Sequence, residues 1–146
     1  GEPWFDSIES LISHMMFSIP AVKGIEFGKG FEFAFMKGSE ANDEFRVCDG
    51  KIVTDTNNNG GINGGITNGM PLEFTVAVKP TPSIYKQQNT VDFKKNENAT
   101  LLINGRHDPA IIHRARVVAD SVTALVLCDL LKCSEKMGKN QRTFSR

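Results

Sequence analysis

The stretch Leu72-Glu73-Phe74-Thr75-Val76-Ala77-Val78-Lys79 alternates with a period of two. Successive side chains of a strand point to opposite faces, so Leu72, Phe74, Val76 and Val78 share one side, with Glu73, Thr75, Ala77 and Lys79 on the other. The pattern predicts a half-buried strand whose last residue, Lys79, projects from its edge. Pro80 and Pro82 follow directly and stiffen the exit from that strand.

Upstream, Lys23, Ile25 and Phe27 share one side of an extended run, and Phe31, Phe33 and Phe35 share one side of the next. The intervening Gly28-Lys29-Gly30 predicts that the two pair as an antiparallel hairpin. Further back, Phe5, Ile8, Leu11, Ile12, Met15 and Met16 recur at steps of three and four. That spacing predicts a helix over residues 7–17, capped by Asp6 with Glu9 completing a capping box, and stopped before Pro20.

Downstream, Leu101-Leu102-Ile103 reads as a fourth strand. Residues 117–131 are apolar on nearly all sides, which predicts a helix buried on more than one face, with Val118, Val122, Leu125 and Val126 in the core. Gly138 marks its expected end, and residues 137–146 read as a frayed polar tail. Residues 38–71, rich in Gly and Asn, read as one long loop. Helices bracketing antiparallel strands indicate an α+β fold, an antiparallel sheet layered with helices, in a single domain over residues 1–146.

Composition bounds the partners. The 146 residues carry 17 Lys and Arg against 17 Asp and Glu, so no long-range positive field draws the chain to nucleic acid or anionic lipid. The longest apolar run, residues 124–128, falls far short of the roughly 20 residues of a membrane span. Cys48, Cys128 and Cys133 form an odd set without zinc spacing. No metal site is expected, and the compartment read from these thiols is the reducing cytoplasm. Residue 1 is Gly, and the sequence reads as a fragment.

Three stretches could carry chemistry. Residues 57–69, NNNGGINGGITNG, permit positive φ and close backbone approach to a ligand, or form a mobile loop. Lys79-Pro80-Thr81-Pro82-Ser83 offers a cation and two hydroxyls on a stiff backbone, suited to phosphate, or makes a solvated strand exit. Gly105-Arg106-His107-Asp108-Pro109 combines a guanidinium that can grip an anion bidentately with an Asp-Pro pair that opens helices. His107 and His113 lie six apart, off the spacing of paired helical metal ligands.

The segments GEPWFDSIES, FSIPAVKGIEFGKGF, KGSEANDEF, NGGINGGITNGMP, VAVKPTPSI, QQNTVDF and GRHDPAIIHRA, in this order, resemble the C-terminal part of chorismate synthase, from residue 1 to about residue 133. The resemblance implies a flavin-dependent lyase of the shikimate pathway. Such an enzyme converts 5-enolpyruvylshikimate 3-phosphate to chorismate by 1,4-elimination of phosphate and needs reduced FMN without net redox change. Carried over by position, Pro20, Ala21, Gly64, Lys79, Pro80, Thr81, Pro82, Ser83 and Arg106 are flavin-contacting residues. Asp108 is the catalytic residue that assists proton removal.

Members of the family are tetramers more than twice this length, and their N-terminal portion carries a Gly-Asp-Ser-His motif and substrate arginines that this chain lacks. The isolated segment is therefore expected to be inactive. The alternative is a non-catalytic folding or assembly segment that does not bind flavin by itself. A ring-shaped anion is expected to rest where Lys79, the glycine stretch around Gly64 and the Arg106 guanidinium converge.

Overall fold

Two apolar strands that are distant in sequence close this chain. In the computed structural model, which describes residues 1–2, 4–105 and 110–143 with side chains through residue 135, β1 (Val22–Phe27) pairs antiparallel with β6 (Phe74–Val78). Ile25 lies opposite Val76 and Phe27 opposite Phe74, and the two rings stack tilted with centroids 5.7 Å apart. The alternation of the sixth strand is as expected, with Phe74, Val76 and Val78 half-buried and Thr75 and Ala77 exposed.

The expected hairpin of residues 23–27 with 31–35 does not form. Gly28 and Gly30 adopt positive φ of 54° and 48°, and the Gly28 amide turns to the Glu73 carbonyl at 2.9 Å. The following segment Gly30–Phe35 coils into a 3-10 helix, with the Phe31 amide on the Glu26 carboxylate at 3.1 Å. Phe31 and Phe35 are left almost fully exposed. Local alternation specifies a strand but not its partner, and the distant partner places the ribbon's inner face on the core.

Helix α1 (Ile8–Met16) matches the expected spacing and buries Ile8, Ile12 and Met16. Its cap is Ser7, not Asp6: the Ser7 hydroxyl accepts from the Ser10 amide at 3.2 Å. Phe5, placed on the helix face by its spacing, precedes the helix and is exposed.

Residues 38–71 are not one loop. They hold α2 (Gly38–Ala41), the hairpin β2 (Phe45–Cys48) with β3 (Lys51–Thr54), and the small hairpin β4 (Ile62–Asn63) with β5 (Ile66–Thr67). The fourth strand is β8 (Glu97–Leu101), upstream of Leu102 and Ile103, and it pairs with β7 (Gln88–Asp92). The strands described thus form four two-stranded antiparallel ribbons rather than one sheet.

Helix α3 spans Ile112–Thr143, so Gly138 does not end it and most of the expected frayed tail is helical. One interior glycine costs about 1 kcal/mol relative to alanine, which a long helix tolerates. The helix is not buried on several faces. Val126 is buried, Val122 is half-buried, and Val118 and Leu125 are 45% and 63% exposed. The core is Ile8, Ile12, Met16, Ile19, Val22, Ile62 and Val126, where α1, the β1–β6 ribbon and the middle of α3 meet.

Candidate functional site

After α1 the chain turns through Ser18, Ile19 and Pro20. The Ile19 amide bonds to the Met16 carbonyl at 3.0 Å, and Ala21 takes a left-handed φ of 71° that redirects the chain into β1. The Ala21 carbonyl then accepts from the Lys79 amide at 2.7 Å. Residues 58 positions apart in sequence are so fixed side by side at one end of the ribbon. Pro20 and Lys79 are exposed there, as are Pro80 and Pro82, while Thr81 and Ser83 are half-buried.

The segment beyond Lys79 is tied back at two points. Gln88 donates its side-chain amide to the Pro82 carbonyl at 2.9 Å, and the Tyr85 hydroxyl donates to the Gly105 carbonyl. Gly105 is the residue before Arg106. Arg106 and Asp108 themselves lie outside the described residues, as do His107 and Pro109.

Beside the Ala21–Lys79 junction a groove of about 190 Å³ opens between the ribbon and the start of α3. Ile19, Val22, Val76 and Val78 form its apolar floor, and Arg116 stands at its rim, 4.0 Å from Asp120 one helical turn on. Arg116 gave no signal in the sequence, because only the packing of α3 against the ribbon brings it to this place.

Gly64 lies elsewhere. It sits in the β4–β5 turn, where Gly64 and Gly65 have φ of 58° and 83°, and the Gly65 carbonyl accepts from the Ile8 amide at the start of α1. The Ala21–Lys79 junction is at the other end of α1 and of the ribbon, and the six residues of β1 alone span about 16 Å. Gly64 and Lys79 therefore do not converge within this chain. A Cβ on Gly64 would meet nothing within 4 Å, whereas one on Gly60 would collide with the Glu73 carbonyl and the Gly28 amide. Internal packing thus requires Gly60 to be glycine, and leaves the surface at Gly64 open to approach from outside.

One buried residue that the sequence did not single out organises the glycine stretch. Asp43 is 5% exposed. Its carboxylate accepts from the Thr56 hydroxyl and the Asn58 amide at 2.7 Å each, and from the Asn59 amide and side chain at 2.9 Å each. Burial alone would raise its pKa, but these hydrogen bonds, from the Asn59 amide foremost, hold it below the ordinary aspartate value. The spacing from residue 43 to residues 56–59 follows no local pattern, which is why the sequence left it unseen.

The chain is similar to known proteins along most of its length. The chain is 52% identical over 131 residues to the chorismate synthase of Thermococcus gammatolerans, a match covering 90% of this chain and 37% of that protein. It is 54% identical over 129 residues to that of Korarchaeum cryptofilum, covering 88% and 36%. A crystal structure of chorismate synthase superposes with a TM-score of 0.66 at 35% identity, covering 86% of this chain and 30% of that one. The chain thus spans about a third of the length of these relatives. No helix among the described residues is long and apolar enough to cross a membrane. A family model for chorismate synthase matches residues 1–131, and the chain belongs to that family.

Proposed function

We propose that this chain supplies one wall of the flavin and substrate site of a chorismate synthase, which eliminates phosphate from 5-enolpyruvylshikimate 3-phosphate with reduced FMN. The observation that carries the reading is the bond from the Lys79 amide to the Ala21 carbonyl. It joins two of the stretches that the resemblance assigns to flavin and sets them beside an apolar groove that has Arg116 in its lining.

The residues suit such a ligand. FMN combines a flat apolar ring with a dianionic phosphate. The Val22, Val76 and Val78 floor offers apolar surface, and Lys79 and Arg116 offer positive charge. Thr81 and Ser83 add hydroxyl donors, and Pro80 and Pro82 limit the conformations of the backbone between them. FMN is elongated, so a second contact at the open Gly64 turn is compatible with the separation of the two ends. Arg106 is assigned to the anionic part of the flavin or substrate, and Asp108 to accepting the proton removed from the substrate. Bound reduced FMN supplies electron density that assists departure of phosphate.

At about 190 Å³ the groove is smaller than the roughly 300–1,000 Å³ of ligand sites. The rest of the family's fold is needed to enclose the ligand, so catalysis belongs to the longer, tetrameric protein and this segment alone is inactive. The same observation favours a second reading, a folding or assembly segment that takes no flavin by itself. Titrating the chain with reduced FMN, with and without the phosphorylated substrate, separates them. Binding that weakens on Lys79→Ala and Arg106→Ala supports the site; no binding by the wild-type chain supports the second reading.

A further inference from the structure

We infer that Asp43 is a positioning residue for the glycine hairpin: its carboxylate sets the backbone of residues 56–59 and, through it, the place of the Gly64–Gly65 turn beside the start of α1. The functional part of this inference rests on the reading that Gly64 contacts flavin.

All four bonds to the carboxylate come from Thr56, Asn58 and Asn59. Both Asn58 and Asn59 give their backbone amides to it, so the acceptor fixes main chain and not merely side chains. The fixed stretch is then fastened to the far end of the ribbon. The Asn58 carbonyl accepts from the Lys29 amide at 2.7 Å, and the Gly60 carbonyl accepts from the Glu73 amide at 3.1 Å. Asn57 donates its side-chain amide to the Pro71 carbonyl at 3.0 Å. On the other side the Gly61 carbonyl accepts from the Asn68 amide at 3.0 Å, which closes the hairpin carrying Gly64.

No neutral side chain of the same shape can replace the carboxylate. Asparagine would turn an NH₂ toward at least one of these N–H donors, leaving a buried donor unpaired. The stretch has five glycines among residues 57–69 and little conformational preference of its own. This acceptor is therefore what sets residues 56–59, while the Lys29, Glu73 and Ile8 amides hold the stretch against the ribbon and α1.

The test is a pair of measurements on the full 146-residue chain. In the first, reduced FMN is titrated into Asp43→Asn, Gly64→Ala, Lys79→Ala and the double variants. Asp43→Asn is expected to weaken binding about tenfold. That loss should largely disappear in the Gly64→Ala background and persist in full in the Lys79→Ala background. A loss of equal size in both backgrounds marks a general destabilisation and overturns the inference.

In the second, amide hydrogen exchange is followed without flavin. Residues 56–69 should exchange faster in Asp43→Asn while Val22–Phe27 and Phe74–Val78 keep their protection. Uniform acceleration, or none, overturns the inference whatever FMN does. If the wild-type chain takes no FMN, the flavin reading fails, and the exchange pattern decides the positioning role alone. Should Asp43→Asn fail to fold, Asn59→Ala, which removes a single donor, carries both measurements with a smaller change in the same direction.

Discussion

The Lys79 amide donates to the Ala21 carbonyl at 2.7 Å, directly after Ala21 has bent the chain with a φ of 71°. A left-handed alanine and a strand-end backbone bond together fix one end of the β1–β6 ribbon, next to Val22 and Val78 of the groove. The side chain of Lys79 takes no part in that bond and is exposed, so the fold does not need its charge.

Lys79→Ala is therefore expected to leave stability within about 0.5 kcal/mol of wild type, as surface substitutions do. FMN affinity should fall at the same time. Urea unfolding together with a flavin titration checks both, and a large loss of stability would mean that the side chain is part of the fold.

Ala21 behaves oppositely. A left-handed φ costs an L-residue about 1–2 kcal/mol and more when it is β-branched. Ala21→Val should destabilise by about 1–2 kcal/mol, and Ala21→Gly should be neutral or slightly stabilising. Denaturant midpoints of the two variants give the comparison.

The glycines divide by the same argument. Gly60→Ala forces a Cβ onto the Glu73 carbonyl and Gly28 amide at a φ of 62°, so it should cost more than about 2 kcal/mol. Gly64→Asn, in open space and with a residue that tolerates φ of 58°, should cost less than about 1 kcal/mol. Thermal unfolding that ranks the two in reverse order would contradict the packing described for the hairpin.

Asp43 gives stability a pH signature. Its folded-state pKa lies below the ordinary aspartate value, so its contribution is present above that value and is lost as pH falls through the folded pKa. Stability measured downward from neutral pH should lose this contribution once the pH passes below the ordinary aspartate value and on through the lower folded one. Asp43→Asn should remove that part of the acid limb and lower the plateau, as denaturant titrations at stepped pH would record.

Phe31, Phe35 and Phe93 are 82%, 91% and 92% exposed, and Val47 and Ile52 lie opposite one another on one face of the β2–β3 hairpin, 74% and 73% exposed. So much apolar surface in a chain that spans about a third of its relatives should drive self-association. Size-exclusion chromatography is expected to show species larger than a monomer, and Val47→Lys with Ile52→Lys should shift them toward the monomer.

Much of this was legible in the sequence where the signal is local. The alternation ending at Lys79 and the helical spacing from Ile8 to Met16 each report which side chains share a face, and the structure turns both faces inward, the strand's half-buried and the helix's Ile8, Ile12 and Met16 buried. The ordered series of motifs reported the family. What stayed hidden depends on residues far apart. Phe31, Phe33 and Phe35 alternate as well as any strand, yet Gly28 bonds to Glu73 and sends them into a 3-10 helix. Leu125 is apolar, yet it lies on a side of α3 that the described residues leave 63% exposed.

By itself the sequence determined the family, the inner face of the strand at residues 74–78 and the amphipathic first helix, because periodicity and motif order need no knowledge of distant partners. Only the tertiary structure decided that β1 pairs with β6, that Ala21 meets Lys79, that Gly64 stands at the opposite end of the ribbon and that Asp43 anchors the glycine stretch. Each of those is a hydrogen bond or contact between residues well separated in the chain, and such contacts form only when burial of the shared core brings the segments together.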